Sequence, residues 1–587
     1  MARGKHFKQT QDVQPVYDPW QSYDPNGSYD ADARDTDAPD THDDKPAADA
    51  PSPWLVLSTV IKYGTALLLA GLCAYEEGSP RLMLAFAVEL LFIMTLSNSV
   101  WRLNRVVGTI LNDLLVLLFL LQVMVLYFGG TYLSSIMVTN LEFIGDIQGN
   151  ARAYVVAAVI ISLIALLPAG PLWKASAKQS GAALGISAAL LAISLVTGSS
   201  YSPGFAYINL ARQMYVIYER NMRLKSAKGD PSQFYSDHVT QGIDRPEVLP
   251  EKPNVVLIMV EGLSKNISED DRQIMPHMAD YEQRSLSFVN YFDHTAATLR
   301  GIIGQLYSGY QNDGFEKNEL VSLQSALGEA GYRTAFINTE PKNELFAGYL
   351  NNLGFDQVVD GRDPVGEDGE GPDGSLTDRQ AYEALFAQME AMGAQEEPFF
   401  LSIYTFGTHA TFDSPDMFYG NGATAELNKF YNTDMWFGTF MERFEQSGLF
   451  DNTIIVFTTD HATYADKEYK RAFPDYVRRR PFLDRVPFFI YHKDVDAHLV
   501  DAKGKNSLDL APTILDYLDI SPANYFLGQS LFVEADESPY DTLFSDTSDQ
   551  SSSTNGDIVV LEGEELEWFE GQLFEYFAAL THGASGK

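Results

Sequence analysis

The chain has 587 residues, 45% of them apolar, one cysteine and a formal net charge of −38. It is too long for one ordinary domain. The acidity excludes nucleic acid as a partner, because neutralising a polyphosphate takes Lys and Arg, and a lone cysteine (Cys73) excludes both an intramolecular disulfide and a thiolate metal cluster.

Residues 1–53 are polar, rich in Asp and Pro, and carry no signal-peptide pattern. They bury too little apolar surface to offset chain entropy, so a disordered tail is expected. Five apolar stretches follow, at 54–75, 82–101, 106–128, 154–168 and 181–196. Most approach the roughly 20 residues that cross a bilayer core, and the fourth is short. Residues 54–198 are therefore expected to be a five-span membrane domain. Arg102 and Arg105 lie in one loop, Lys174 and Lys178 in another, while the opposite loops hold only Arg81 and Arg152. The positive-inside rule then puts the N-terminal tail in the cytoplasm and everything after about Gly198 outside. Lys62, Glu89 and Asp113 fall inside the apolar stretches, where charge is costly unless paired or hydrated. Lys62 and Asp113 lie at similar depth, so pairing competes with snorkelling of Lys62.

Residues 199–250 read as a connector whose amphipathic piece AYINLARQMYVIYERNMRL suits a membrane surface. From 251 to 536 strands and helices alternate. Strands are expected at 252–261, 333–338, 398–406, 452–459 and 486–491, and helices at 320–330, 378–393, 429–447 and 508–518. Such alternation predicts a mostly parallel sheet covered on both faces. Residues 537–587 read as an acidic tail with a helix around 561–580.

Two strands carry the chemistry. NVVLIMVEGLS and NTIIVFTTDHA are unbroken apolar runs, as expected of strands buried on both faces, and they stop at Glu261 and at Asp460–His461. Ligands in open α/β sheets bind just beyond such carboxyl ends. Two carboxylates and an imidazole gathered there can share one divalent cation. A nucleophile is expected nearby in HTAATLRGIIGQLYSG. Thr298 precedes a helix-like run and Thr295 is the second choice, although an N-cap is the commonest work of a Thr so placed. His409 ends a third strand, as general acid or base, as a donor to a phosphate oxygen, or as a structural histidine. Arg478, Arg479, Arg480 and Arg485 are expected to be solvated, with an anionic ligand as the alternative.

In order, the spans, NVVLIMVEGLS, AATLRGIIGQLYSG, THATF, FTTDHA, VPFFIYHKD, KNSLDLAPTILDYLDI and FLGQSLF resemble the membrane-anchored phosphoglycerol transferases of the sulfatase and alkaline phosphatase superfamily. Lipoteichoic acid synthase and the periplasmic glucan phosphoglycerol transferase are its best-known types. The resemblance implies an extracytoplasmic sulfatase-like domain on a multi-pass anchor in a bacterial cell (inner) membrane. It implies one Mn2+ or Mg2+, with Zn2+ less favoured, held by Glu261, Thr298, Asp460 and His461. Thr298 would be the nucleophile, with His409 and Arg300 at the substrate. Phosphatidylglycerol would be the donor and an envelope glycan or polymer the acceptor, through a covalent threonine intermediate. Thr459 stands where the family often has Gly, and no CxPSR-type motif is present, which argues against a formylglycine sulfatase. The alternatives are a phosphoethanolamine transferase, a phosphate or sulfate ester hydrolase, and an inactive domain that binds envelope polymers.

Overall fold

Three N-terminal helices begin at a Ser–Pro pair, with the Ser hydroxyl capping a free N–H and Pro occupying the first turn, where no backbone donor is needed. The computed structural model describes residues 52–139, 148–172, 175–227, 230–311, 318, 320–363, 371, 374–409, 412–534, 538–546 and 549–582, so nearly all of the expected tail 1–53 lies outside the described residues. The N-terminal region comprises α1 (Pro53–Glu76), α2 (Pro80–Leu103), α3 (Arg105–Gly129), α4 (Ser135–Thr139), α5 (Gln148–Ala165), α6 (Ala177–Gly198) and α7 (Pro203–Leu224). Among the described residues four helices are long and apolar enough to cross a membrane: Pro53–Glu76, Pro80–Leu103, Arg105–Gly129 and Ala177–Tyr201. The apolar helix at the fourth expected span, Ala153–Ala165, is shorter, so this criterion gives four spans where the sequence suggested five.

The charges within these helices are partnered. Lys62 Nζ donates to Asp113 Oδ1 at 2.6 Å, and its side chain is fully buried. Glu89 of α2 accepts from Ser202 Oγ (2.6 Å) and from the Gly204 backbone N–H (2.7 Å), so it holds the start of α7 against α2. A Cβ at Gly204 would lie 2.8 Å from Glu89 Oε1, which is why this contact takes glycine. The connector helix thus starts within the helical bundle. Removing one partner of a buried pair strands the other charge. Asp113→Ala should therefore cost about 3–5 kcal/mol, read as a lower melting temperature in detergent that Asp113→Glu largely restores.

The remaining elements in chain order are β1 (Asn254–Val260), α8 (Lys265–Ser268), α9 (Pro276–Gln283), β2 (Leu286–Val289), α10 (Thr298–Tyr307), α11 (Leu323–Glu329), β3 (Arg333–Asn338), α12 (Glu344–Asn351), β4 (Gln357–Asp360), α13 (Asp378–Gly393) and β5 (Phe399–Thr405). After these come α14 (Ala425–Glu445), β6 (Thr453–Thr459), α15 (Lys467–Ala472), β7 (Phe489–Tyr491), β8 (Leu499–Asp501), α16 (Leu510–Tyr517), β9 (Leu543–Ser545), β10 (Gln550–Ser552), β11 (Val559–Val560) and α17 (Gly563–His582). Eight strands form one sheet in the order β4-β3-β5-β1-β6-β7-β2-β8. It is mostly parallel: β1 pairs in parallel with β5 and β6, and β7 runs antiparallel to its neighbours β6 and β2.

All seven residues of β1 are buried. They divide by parity, with Val255, Leu257 and Met259 in one hydrophobic cluster and Val256, Ile258 and Val260 in another. This is the side-chain period of two of an extended strand, and it explains why the run shows no polar alternation.

Two further sets of contacts involve the C-terminal segment and the apolar helices. Residues 538–582 contribute the three-stranded β11-β10-β9 sheet and α17. Phe569, Leu573 and Tyr576 of α17 share a buried cluster with Leu224 of α7 and Tyr310. On another side, α15 meets the ends of the apolar helices. Arg471 pairs with Glu76 of α1 at 2.9 Å, and Lys467 Nζ donates to the Tyr127 carbonyl of α3 at 3.1 Å.

Candidate metal centre

β1 lies between β5 and β6, and the three strands end at one level: Val260 is in register with Thr405 and with Thr459. The residues that follow therefore emerge side by side. Glu261 follows β1, Asp460 and His461 follow β6, and the turn after β5 carries Thr408 and His409. The Glu261, Asp460 and His461 side chains are buried, and one ligand atom from each lies within 4.8 Å of the others.

The hydrogen bonds leave these atoms turned inward. Asp460 Oδ1 accepts from the backbone N–H of Gly262 (2.8 Å) and of His461 (2.7 Å), while Asp460 Oδ2 is buried without a hydrogen-bond partner. His461 Nδ1 lies 2.8 Å from the Ala462 carbonyl. A carbonyl only accepts, so Nδ1 carries the proton and Nε2 presents a lone pair. That Nε2 is also buried without a hydrogen bond, 3.5 Å from Glu261 Oε1 and from Asp460 Oδ2. Two buried, unpartnered polar atoms facing the Glu261 carboxylate are costly unless something positive sits among them. The donor set of carboxylate oxygens and one imidazole nitrogen fits a hard or borderline divalent cation.

The electrostatics agree. Burial, with the neighbouring Glu261 charge, pushes the Asp460 carboxyl up to about 8. Burial works in the same direction on Glu261, but His461 and His409 outweigh it and hold that carboxyl below its usual value. Burial works against a charged His461, yet Asp460 and Glu261 raise it above the ordinary histidine value. Two carboxylates and an imidazole thus compete for protons that a cation would displace.

Thr298 opens α10, and its Oγ1 donates to Glu261 Oε2 at 3.1 Å, which brings the expected nucleophile to this cluster. Its hydroxyl does not cap the helix. Thr295 is buried with its hydroxyl unpartnered, so it makes no hydrogen bond to Glu261, Asp460 or His461. Gly301 in this segment has a steric reason. A Cβ at Gly301 would lie 2.2 Å from the Asp460 carbonyl oxygen, so only glycine lets α10 approach the end of β6. Gln305, one turn on, donates to the Thr459 carbonyl at 2.9 Å. Gly301→Ala must push α10 away from Asp460. A shift near 1 Å should lower turnover by about 100-fold and stability by about 1–3 kcal/mol, measurable by steady-state kinetics and thermal melting.

The other expected residues are placed as follows. His409 packs between Phe406 and Phe412, with ring centroids at 4.8 and 5.3 Å, near enough to Glu261 to influence its charge. Arg300 pairs with Asp546 at 2.9 Å, so its guanidinium is already engaged by a buried carboxylate. The arginine run is paired throughout: Arg478 with Asp484 (3.0 Å), Arg479 with Asp557 (3.4 Å), Arg480 with Asp549, and Arg485 with Glu269 (2.7 Å). Arg478 is nearly fully buried rather than solvated, and it donates to Ser264 Oγ at 2.6 Å. Thr459, the departure from Gly, donates to the Val260 carbonyl at 2.6 Å and accepts from the Leu263 N–H at 3.0 Å, which stitches β6 to the turn after β1.

Several supporting residues escaped the sequence reading. Tyr404 OH donates to Glu261 Oε2 (2.6 Å), and Thr408 Oγ1 donates to the Glu261 carbonyl (2.5 Å). Tyr464 stacks on His461 with centroids 4.9 Å apart, and its hydroxyl donates to the Ala296 carbonyl. Asp293 accepts from the Ala462 and Asp484 N–H groups, and burial pushes its carboxyl up to about 7. Only the DH of FDHTAAT gave a signal for Asp293.

Comparison with known proteins bears on the fold that carries this cluster. Residues 253–520 match the sulfatase family model. A lipoteichoic acid synthase-like protein, YvgJ of Bacillus subtilis (strain 168), is 21% identical over 321 residues, covering 49% of this chain and 51% of the relative. The chain thus aligns with about half the length of that curated relative. A solved alkaline phosphatase superfamily protein from Vibrio parahaemolyticus superposes with TM-score 0.50 at 17% identity, covering 64% of this chain and 96% of the other. The lipoteichoic acid synthase LtaP of Listeria monocytogenes gives 0.47 at 17% identity (58% and 95% covered). The lipooligosaccharide phosphoethanolamine transferase EptA of Neisseria meningitidis gives 0.49 at 14% identity (80% and 95% covered). Residues 253–520 of this chain thus match the sulfatase family model, in an α/β region that shares its fold with the Vibrio parahaemolyticus protein and is preceded by apolar helices.

Proposed function

We propose that the protein is a metal-dependent membrane phosphotransferase that moves phosphoglycerol from phosphatidylglycerol to an envelope glycan or polymer through a covalent Thr298 intermediate. The single observation that carries this reading is the Thr298 hydroxyl bonded to Glu261, at the mouth of a buried cluster whose Asp460 Oδ2 and His461 Nε2 lack partners. Glu261, Thr298, Asp460 and His461 would hold one Mn2+ or Mg2+, which when bound lowers the pKa of a hydroxyl and offsets charge on phosphorus. Thr298 Oγ1 forms the new bond to phosphorus as the bond to the diacylglycerol oxygen breaks. The threonine proton leaves along the bond to Glu261, and His409 gives its own proton to the departing diacylglycerol oxygen. The backbone N–H groups at the start of α10 favour the anionic group being transferred. An acceptor hydroxyl then bonds to phosphorus, giving its proton to His409, as the bond to Thr298 Oγ1 breaks and that oxygen recovers its proton from Glu261, the phosphorus keeping its charge throughout.

The anchor supports a lipid donor. α15 follows closely on His461 and rests on the ends of α1 and α3, which sets the site beside the apolar helices. A fifth span fits α5, because Ile161, Ile164 and Ala165 share the buried cluster of α1–α3. Five crossings put the sulfatase-family domain outside the bacterial cell membrane, with the N-terminus in the cytoplasm. The phosphoethanolamine reading keeps the same threonine chemistry with another headgroup. One experiment separates the two: metal-loaded full-length protein is given vesicles of phosphatidylglycerol or phosphatidylethanolamine, and diacylglycerol is measured. Release from phosphatidylglycerol alone is expected, and release from phosphatidylethanolamine alone would transfer the case to the rival.

A further inference from the structure

One buried charge pair beside the metal centre has no part in the chemistry described so far. Glu426 and Lys429 stand three residues apart in the first turns of α14, and Lys429 Nζ lies 2.7 Å from Glu426 Oε2. Both side chains are almost fully buried, at 5% and 2% exposure. They line the same cleft as Glu261, Thr408 and His461. A buried ion pair is a poor device for stability, because apolar side chains of similar volume usually serve the fold as well or better. Its place on the cleft wall asks for another reason.

The donor count supplies one. An ammonium has three N–H groups. Among the described residues, the hydrogen-bonding partner of Lys429 is Glu426, and the Phe430 ring (5.2 Å) takes a cation–π contact. Donors therefore remain for an incoming oxygen. The acids of the wall, by contrast, are committed. Glu426 is neutralised by Lys429, and Asp466, which also lines the cleft, caps α15 by accepting from the Tyr469 N–H at 2.8 Å. Apart from the metal cluster, Lys429 is the cation this wall offers to oxygen, while Glu426 is paired with it and Asp466 Oδ1 is taken up by the cap of α15.

We propose that Lys429, oriented by Glu426, binds the transferred headgroup directly through its phosphate or hydroxyl oxygens, and so selects an anionic, hydroxyl-bearing lipid headgroup over an amine-bearing one. This rests on the phosphotransferase reading above for its lipid source, and its test keeps the two apart. The probe is sn-glycerol 1-phosphate, titrated by calorimetry into metal-loaded full-length protein. Binding should weaken at least tenfold in K429M, with metal content unchanged, and should recover to within about threefold in K429R. The double variant E426L/K429M removes both buried charges without stranding either, so it should fold and lose binding equally. In parallel, the turnover ratio of phosphatidylglycerol to phosphatidylethanolamine vesicles should fall at least tenfold in K429M. Unchanged glycerol phosphate affinity in K429M or in the double variant overturns the proposal, as does a wild type that binds no glycerol phosphate. A wild type that binds glycerol phosphate through Lys429 yet releases no diacylglycerol from either lipid leaves the subsite standing and sinks the transferase reading instead.

Discussion

Thr298→Ala should reduce diacylglycerol release from phosphatidylglycerol by at least about a thousandfold, the scale seen when a covalent nucleophile is deleted, while the bound metal stays in place. The two halves of this expectation have separate causes. Thr298 gives up one hydroxyl bonded to Glu261 Oε2 at 3.1 Å, but Glu261 remains oriented by Tyr404 at 2.6 Å. Asp460 and His461 keep their own backbone contacts. The three-residue cluster therefore survives without the threonine. Because the hydroxyl makes no cap bond, the stability change should stay within about 1 kcal/mol. Thr298→Ser, which keeps a hydroxyl, should retain measurable turnover. Metal content by elemental analysis beside diacylglycerol release checks both halves, and a Thr298→Ala protein as active as wild type would refute the nucleophile.

Asp460→Asn should abolish metal binding and turnover together, and should leave the metal-free protein no less stable than wild type. An asparagine oxygen can still accept from the Gly262 and His461 N–H groups, as Asp460 Oδ1 does at 2.8 and 2.7 Å. The other atom becomes an amide nitrogen, which has no lone pair for a cation. Loss of a charged carboxylate ligand, unlike loss of the neutral Thr298 hydroxyl, should exceed the roughly 10- to 100-fold that outer partners of ligands contribute to affinity. Stability moves the other way, because Asp460 Oδ2 is buried, unpartnered and beside a second carboxylate. Removing that charge relieves repulsion with Glu261. Calorimetric titration with Mn2+ and melting of the metal-free proteins read the two effects. An Asp460→Asn protein that still binds metal tightly would contradict the proposed ligand set.

The centre of the sheet was legible because β1, β5 and β6 are runs of apolar residues long enough to need burial on both sides, and each ends at a polar group. Glu261 and the Asp460–His461 pair stood out for that reason. The edges were not legible. β2 (Leu286–Val289) and β8 (Leu499–Asp501) are short, and nothing local distinguishes the antiparallel β7 from a parallel strand. Pairing direction is a tertiary property.

The same limit applies to partners that meet only in space. Arg300 in the nucleophile segment looked available for a phosphate, whereas Asp546, 246 residues later, takes its guanidinium. Arg478 looked like a surface charge until Asp484 and Ser264 enclosed it. Residues beyond 537 looked like a polar tail because their apolar side chains are spaced to pack on other elements, as Tyr576 does against Gly309, where a Cβ would meet its hydroxyl at 1.8 Å. By sequence Lys429 stands at the start of the expected helix 429–447 and Glu426 falls before it, and only the fold, in which α14 begins at Ala425, turns the pair toward the cleft.

The most direct test of the account is intact-mass and peptide mass spectrometry of the full-length, metal-loaded protein after brief incubation with phosphatidylglycerol vesicles lacking any acceptor. A glycerol phosphate adduct confined to the peptide bearing Thr298, absent from Thr298→Ala and from Asp460→Asn, is the predicted result. Diacylglycerol release with no adduct on that threonine, or an adduct on another residue, would contradict it.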